Sequence, residues 1–410
     1  MQRRIHISHI TTFLLGIMCI LMQYRYRVNL GYIVGFVLLV FCIIKKQHFY
    51  ISSDFLFIIV AITLQTWLCV IFGILHYNLA ISDTVNFVLL AMLIALCYNY
   101  DDSAKVIKIY KKICLICAWV VIGQTALTMI FGVQSGALRI LPQSVQTDAY
   151  WQTTSYRPSA FFTEAQTYCS FLLPSLILMV KDREYIKSGL VTFSFLLTGS
   201  SMGVMVALAP WVALLLSSSI KIYQKVLLTI VTCLLGALFL TSAAFEISVD
   251  KLITIFKDFG NYSSLNMIQS TSYSNYMRII KGWTTFSEMS WSNKLTGLGF
   301  YNFSNYVQKH DLYFTWSRIW NNTSASAAYY SSASGVFIDF GLIVGSLYYI
   351  YIVRLFTGGN SSQKMILFCM LLQSLFTQIH FNSLCVFYLM TYYLLQEHKC
   401  IPKHTTDLVM

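Results

Sequence analysis

The chain has 410 residues, of which 57% are apolar, 16% aromatic and only 11% charged, and its mean hydropathy is +0.64. Soluble domains carry about 25% charged residues, so the composition excludes a water-soluble globule, and its high hydrophobicity excludes a disordered chain. Apolar residues run together instead of alternating, which argues against a membrane β-barrel and for an all-α polytopic membrane protein. The formal charge of +12 would invite a nucleic-acid partner in a soluble protein. Here none is expected, because cytoplasmic loops of membrane proteins collect Lys and Arg for topological reasons.

Apolar runs near the ~20 residues that cross a hydrocarbon core of about 30 Å fall first at 8–23, 28–44, 55–75, 82–99 and 113–131, making an N-terminal group over 1–131. The first run follows Gln2-Arg3-Arg4, lacks a small-residue cleavage site and ends in Tyr24-Arg25-Tyr26-Arg27. It is expected to stay as the first span. An outer loop over 132–161 leads to spans in 162–244: one at 162–180, two within 188–220, and one at 226–244. The stretch 188–220 is long for one span and short for two. Lys181, Arg183 and Lys187 before it and Lys221 and Lys225 after it place both of its ends on one side. The chain is therefore expected to turn back near Gly199-Ser200-Ser201-Met202-Gly203.

A long extracytoplasmic loop over 245–331, carrying short amphipathic helices, precedes spans at 332–353, 365–380 and 382–396 in the C-terminal group 332–410. About twelve spans result, with both termini cytoplasmic. Seventeen of the 28 basic residues then lie on the cytoplasmic side and four (Arg25, Arg27, Arg139, Arg157) in short outer loops, as the positive-inside rule requires. No inverted or tandem repeat is evident, which counts against a secondary transporter. All 11 cysteines sit in or beside apolar stretches, where a thiol behaves as a small hydrophobe. Cys114 and Cys117 form a C-x-x-C without a second pair or a nearby His, so packing is the expected role, and no metal site is expected.

Two outer segments hold candidate chemistry. The first ends in Arg157-Pro158-Ser159-Ala160-Phe161-Phe162-Thr163-Glu164. Proline suits a first helical position, so a helix is expected to begin at or just after Pro158. That would set Arg157 at a helix N-terminus, where free N–H groups and a guanidinium together favour a phosphate. Glu164 would lie about two turns further in, either as a functional acid at the membrane edge or as an ion-pair partner of Arg157.

The second segment is the long loop. Trp283, Trp291, Trp316 and Trp320 stand there amid Tyr, Ser and Asn, a mixture that suits sugar rings and equally an interfacial aromatic belt. Met277, Ile280, Trp283 and Phe286 recur at helical spacing, with Arg278 and Lys281 on other faces, which predicts an amphipathic helix on the membrane surface. Arg318 and His310 are further candidates, for substrate or for lipid headgroups. Asp339 lies deep in the tenth span, where an acid is either functional or paired with a cation. The glycines of Leu295-Thr296-Gly297-Leu298-Gly299 mark a tight turn. No H-E-x-x-H, P-loop, EF-hand or G-x-S-x-G occurs.

These segments resemble a family. Arg157 to Glu164 is similar to the R-x-S-x-F-x-E segment of bacterial O-antigen and capsule polymerases of the Wzy type. In the same order, Leu197-Thr198-Gly199-Ser200-Ser201-Met202-Gly203 resembles that family's L-S/T-x-S-R-x-G hairpin. Arg278 to Gly299 resembles its R-x-x-x-W/G…L-x-G-x-G stretch, and Ser334 to Gly345 its returning span. The likeness covers about 155–350. Met202 stands where the family often has Arg. The His-Asn pair that related O-antigen ligases carry before the returning span is replaced by Tyr329-Tyr330-Ser331-Ser332-Ala333-Ser334, which favours polymerase over ligase.

The resemblance implies a metal-independent membrane glycosyltransferase, without cofactor, at the outer face of the bacterial cytoplasmic membrane. It would move a glycan from undecaprenyl pyrophosphate to the non-reducing end of a new lipid-linked repeat unit, with membrane lipids around it and a chain-length regulator as a possible partner. Arg157, Arg278 and Arg318 would neutralise the departing pyrophosphate. Glu164, then Asp339 and His310, are the candidate bases for the acceptor hydroxyl, and Trp283, Trp316 and Trp320 would contact sugar. An O-antigen ligase and a non-enzymatic flippase of lipid-linked oligosaccharides are the alternatives.

Overall fold

The structure is a computed structural model that describes residues 30–44, 51–98, 103–132, 157–162, 164–216, 281–300, 302–303, 305–306, 330–377 and 383–395, with a few single positions in 14–21 and 226–230. Among these the regular elements are all helices: α1 (Leu30–Ile44), α2 (Ser53–Ile71), α3 (Tyr77–Tyr98), α4 (Ser103–Phe131), α5 (Ala165–Lys181), α6 (Tyr185–Leu197), α7 (Ser201–Leu216), α8 (Lys281–Glu288), α9 (Trp291–Thr296), α10 (Ser332–Gly358), α11 (Ser361–Ser374) and α12 (Ser383–Leu394). The protein is thus an all-α membrane protein. The segments Ser53–Ile71, Tyr77–Ala95, Ala104–Phe131 and Ser332–Gly358 are long and apolar enough to cross a membrane, and the helices at Leu30–Val40, Tyr185–Leu197, Met202–Leu216 and Cys385–Leu394 are shorter and apolar. Each apolar run that falls within the described residues forms a helix. The runs at 8–23 and 226–244 and most of the 245–331 loop lie outside them.

Local signals explain the helix starts. Ser52 accepts the Phe55 N–H at the head of α2, and Asn360 forms a capping box with Gln363 at the head of α11. The 188–220 stretch does turn back, α6 and α7 being joined at Thr198–Ser200 with Gly199 at φ 60°. Thr198 Oγ1 accepts from the Ser200 N–H, and Ser200 Oγ accepts from the Gly203 N–H, so the tip is closed by its own hydroxyls.

Helix α5 is the axis of the bundle. Fourteen of its residues are buried against α4, α6, α7, α11 and α12. Phe171 meets Tyr110 of α4 and Phe387 of α12, and the Tyr110 hydroxyl donates to the Phe171 carbonyl. Tyr168 reaches Ser194 of α6 (2.6 Å), and Tyr388 of α12 donates to Gln373 of α11 (2.8 Å).

Ion pairs fix which helix ends lie together. Buried Lys111, early in α4, sits 2.6 Å from Asp182 and 2.7 Å from Glu184 in the α5–α6 turn, and Glu184 also meets Lys187. Burial alone would raise the Glu184 carboxyl, but the ammonium groups of Lys111 and Lys187 hold it below the ordinary range. Arg354 near the end of α10 pairs with Asp54 at the start of α2 (3.5 Å), two turns of opposite helices at one level. Among the described residues the basic clusters therefore gather where α4, α6 and α11 begin, the basic end. The other end collects Pro158–Glu164, the α6–α7 tip, the α2–α3 turn and the described part of the long loop, and is called the loop end below.

Candidate functional site

At the loop end, Arg157-Pro158-Ser159-Ala160-Phe161-Phe162 forms a turn instead of the first helical residues expected. Ala160 is left-handed (φ 51°), the Ser159 hydroxyl donates to the Phe162 carbonyl (2.8 Å), and the Phe162 N–H returns to the Ser159 carbonyl (2.9 Å). Gln124 of α4 holds this turn from below, accepting the Ala160 N–H (2.9 Å) and donating to its carbonyl (3.5 Å). Phe162 plugs into Tyr168 and Phe171. The two bonds to Gln124 and the buried ring outweigh the proline's preference for a helix start.

The helix begins only at Ala165. Glu164 is its N-cap residue, not a residue two turns inside, and its half-buried carboxylate makes no capping bond to the backbone. Arg157 is exposed, eight positions before the first residue of that helix. The hairpin tip packs on the same end of α5: a Cβ at Gly203 would lie 2.3 Å from Cys169 Sγ, and Thr198 Oγ1 is 3.6 Å from that sulfur.

A second pair of segments meets at α10. This helix is interrupted at Gly341 (φ 71°, ψ 179°), so carbonyls on its N-terminal side lose their helical donors. The loop after α9 supplies replacements: the Leu298 N–H donates to the Ile338 carbonyl (3.0 Å) and the Gly299 N–H to the Asp339 carbonyl (2.9 Å). Backbone approaches backbone so closely that a Cβ at Gly297 would lie 2.4 Å from the Asp339 carbonyl oxygen, and one at Gly341 2.3 Å from the Leu295 oxygen. Gln65, buried in α2, completes the junction. Its Nε2 donates to the Thr296 carbonyl (2.7 Å) and the Asp339 carbonyl (3.0 Å). Asn302 ties the same loop to the Ile74 carbonyl in the α2–α3 turn (3.1 Å).

Asp339 itself is 6% exposed, and its Oδ1 accepts from the Tyr330 hydroxyl (3.0 Å). The short helix α8 lies on the first turns of α10, where a Cβ at Gly282 would lie 1.8 Å from Ser334 Oγ. Its Trp283 and Phe286 rings contact Phe337, and Trp283 remains 43% exposed. The amphipathic reading needs correction here. The buried face of α8 is the one with Lys281, Gly282 and Thr285, because the glycine allows closest approach there. Lys281 is 0% exposed, and burial pushes its ammonium down to about 7.

Of the residues the sequence singled out, Arg157, Glu164, Trp283 and Asp339 stand at this end, while Arg278, His310, Trp316, Arg318 and Trp320 lie outside the described residues. Gln65, Gln124 and Lys281 were not singled out. The two glutamines carried a usable signal, since an amide in an apolar span must find partners inside the protein. Cys114 and Cys117 are both buried in α4, and among the described residues no group of three or more His, Cys, Asp or Glu is placed to hold a metal ion. Neither a scan against protein-family models nor a search of curated proteins finds a match to this chain.

Proposed function

We propose that the protein is a polymerase of lipid-linked oligosaccharide repeat units in the bacterial cytoplasmic membrane, with both termini cytoplasmic and its site at the loop end, facing outward. The observation that carries this reading is the pairing of the four motif segments. The Arg157–Glu164 turn packs on the Thr198–Gly203 hairpin through α5, and the Leu295–Gly299 stretch seats in the break of the returning helix α10. Both junctions lie at the end opposite the basic clusters, in keeping with the orientation that the positive-inside rule gives.

The chemistry follows from charge and position. A glycan on a lipid pyrophosphate already carries its leaving group, so transfer needs cations at the departing phosphates and a base at the acceptor hydroxyl. Exposed Arg157 supplies a bidentate cation, and Arg278 and Arg318 of the long loop are the further cations of this proposal. Glu164 is the base: its half-buried carboxylate stands at the head of α5, at the loop end. Asp339, bound through both side chain and backbone, organises the junction between loop and helix, and Trp283 offers a half-exposed face to sugar.

Deleting the gene and resolving surface glycans by size tests the reading. Lipid anchors capped by single repeat units are the result expected of a lost polymerase. Uncapped anchors would indicate a ligase instead, and repeat units retained on the inner leaflet would indicate a flippase.

A further inference from the structure

We infer that Gln65 of α2 is a positioning residue that docks the long outer loop onto the break in α10. The inference starts from hydrogen-bond accounting. Gly341 opens α10, and a carbonyl left without a donor inside a membrane protein is costly. The Asp339 carbonyl receives two donors, one from the loop (Gly299 N–H) and one from Gln65, whose second N–H goes to the Thr296 carbonyl at the end of α9. One amide thus bridges the last residue of the loop helix and the broken span.

The amide's orientation is fixed by the Thr296 and Asp339 carbonyls, which can only accept, and the same nitrogen also lies 3.2 Å from Cys69 Sγ. The consequence is an oxygen, Oε1, buried without a hydrogen-bond partner. A side chain 4% exposed that leaves its acceptor unsatisfied contributes through its donors. Beneath it, the buried Cys69 thiol donates to the Gly297 carbonyl (3.7 Å), accepts from Gln65 Nε2 (3.2 Å) and packs against Leu75 and Ala80, so the docked loop is one of its covers. Lifting the loop would uncover Cys69, which makes that thiol a reporter of docking.

The functional half of the inference rests on the polymerase reading: α8 and α9 carry Trp283 and follow directly on Arg278, so loosening them weakens substrate binding more than the chemical step. Gln65→Met keeps length and volume and removes both donors. In membranes treated with a small maleimide, with adducts located by peptide mass spectrometry, Cys69 in the variant should label at least about tenfold faster than in the unaltered protein, while Cys114 and Cys117 in α4 stay protected. Labelling of all three would report general unfolding, and Gln65→Leu, which has neither donor nor acceptor, then repeats the comparison. In a chain-growth assay, KM for the lipid-linked repeat unit should rise about tenfold with kcat nearly unchanged.

Cys69 as protected in both variants as in the unaltered protein overturns the inference. So does an uncovered Cys69 with KM unchanged. If the unaltered protein extends no chains, the polymerase reading fails, and the labelling alone decides whether Gln65 holds the loop.

Discussion

Helices α5 and α10 both carry a residue that interrupts regular helical bonding, and they deal with it in opposite ways. Pro174 lies inside α5, yet that helix runs unbroken from Ala165 to Lys181 with side chains of five neighbours packed around it. Gly341 opens α10, and what enters is backbone: the stretch from Leu295 to Gly299, joined by the amide of Gln65. Side-chain packing tolerates many substitutions of similar volume, whereas a backbone-to-backbone seam admits only glycine at its closest points. A membrane protein accepts a broken span where the freed groups are covered by protein, and such places mark sites. The body of α5 is therefore read as scaffold, and the α10 seam as the junction that positions the outer loop beside the site at the head of α5.

The sharpest way to break that contrast is to add a methyl group to each. Gly341→Ala or Gly297→Ala forces a Cβ within 2.5 Å of backbone in a left-handed conformation, and should destabilise by about 3 kcal/mol or more. Gly199→Ala in the hairpin has a similar φ but nothing within 4 Å, and should cost about 1–2 kcal/mol from backbone strain alone. Thermal unfolding in detergent ranks the three, and equal losses would remove the distinction between the regions.

Lys281 gives a pH-dependent version. Its folded value of about 7 lies below the ordinary 10.5, so between these limits the unfolded chain holds more protons than the folded one. Stability accordingly rises with pH across that window, by up to about 1.4 kcal/mol per unit, and the penalty for the buried charge is complete below 7. Lys281→Met should be most stabilising at pH 6 and lose that advantage by pH 10. A gain in melting temperature that is constant across pH would show that burial of charge at α8 is not the cause.

Smaller effects sharpen the comparison. Tyr330→Phe withdraws the donor to the buried Asp339 Oδ1 and should cost about 1–3 kcal/mol, as a buried acceptor left without its donor does. Tyr168→Phe withdraws a neutral bond to Ser194 in the scaffold and should cost about 1 kcal/mol. Smallest is Arg354→Ala at the basic end, whose exposed pair with Asp54 should contribute no more than about 0.5 kcal/mol. A large loss there would mean that the pair, and not packing, sets the register of α2 against α10.

How far these features can be read from sequence differs by region in the same way. Helix positions followed from apolar runs, and the α6–α7 reversal from the charges at its two ends, because a span is a local property of about 20 residues. Pro158 predicts a helix start where the structure has a turn over Ser159–Phe162. Its conformation is dictated by Gln124, 36 positions away, and no local propensity carries that information. The seam was legible only as glycines at 297, 299 and 341, whose partner surfaces are separated by some 40 residues. Helical spacing sets Lys281 on a face other than that of Trp283 and Phe286, yet that face is the one that packs, because Gly282 allows close approach to Ser334 there.

The central claim, transfer of glycan between lipid carriers, is tested most directly by reconstitution. The purified protein in proteoliposomes, given a synthetic polyprenyl-pyrophosphate-linked oligosaccharide and a metal chelator, is expected to yield a ladder of multiples of the repeat unit and to release lipid pyrophosphate in proportion. Movement of the intact substrate between leaflets without any ladder would contradict it.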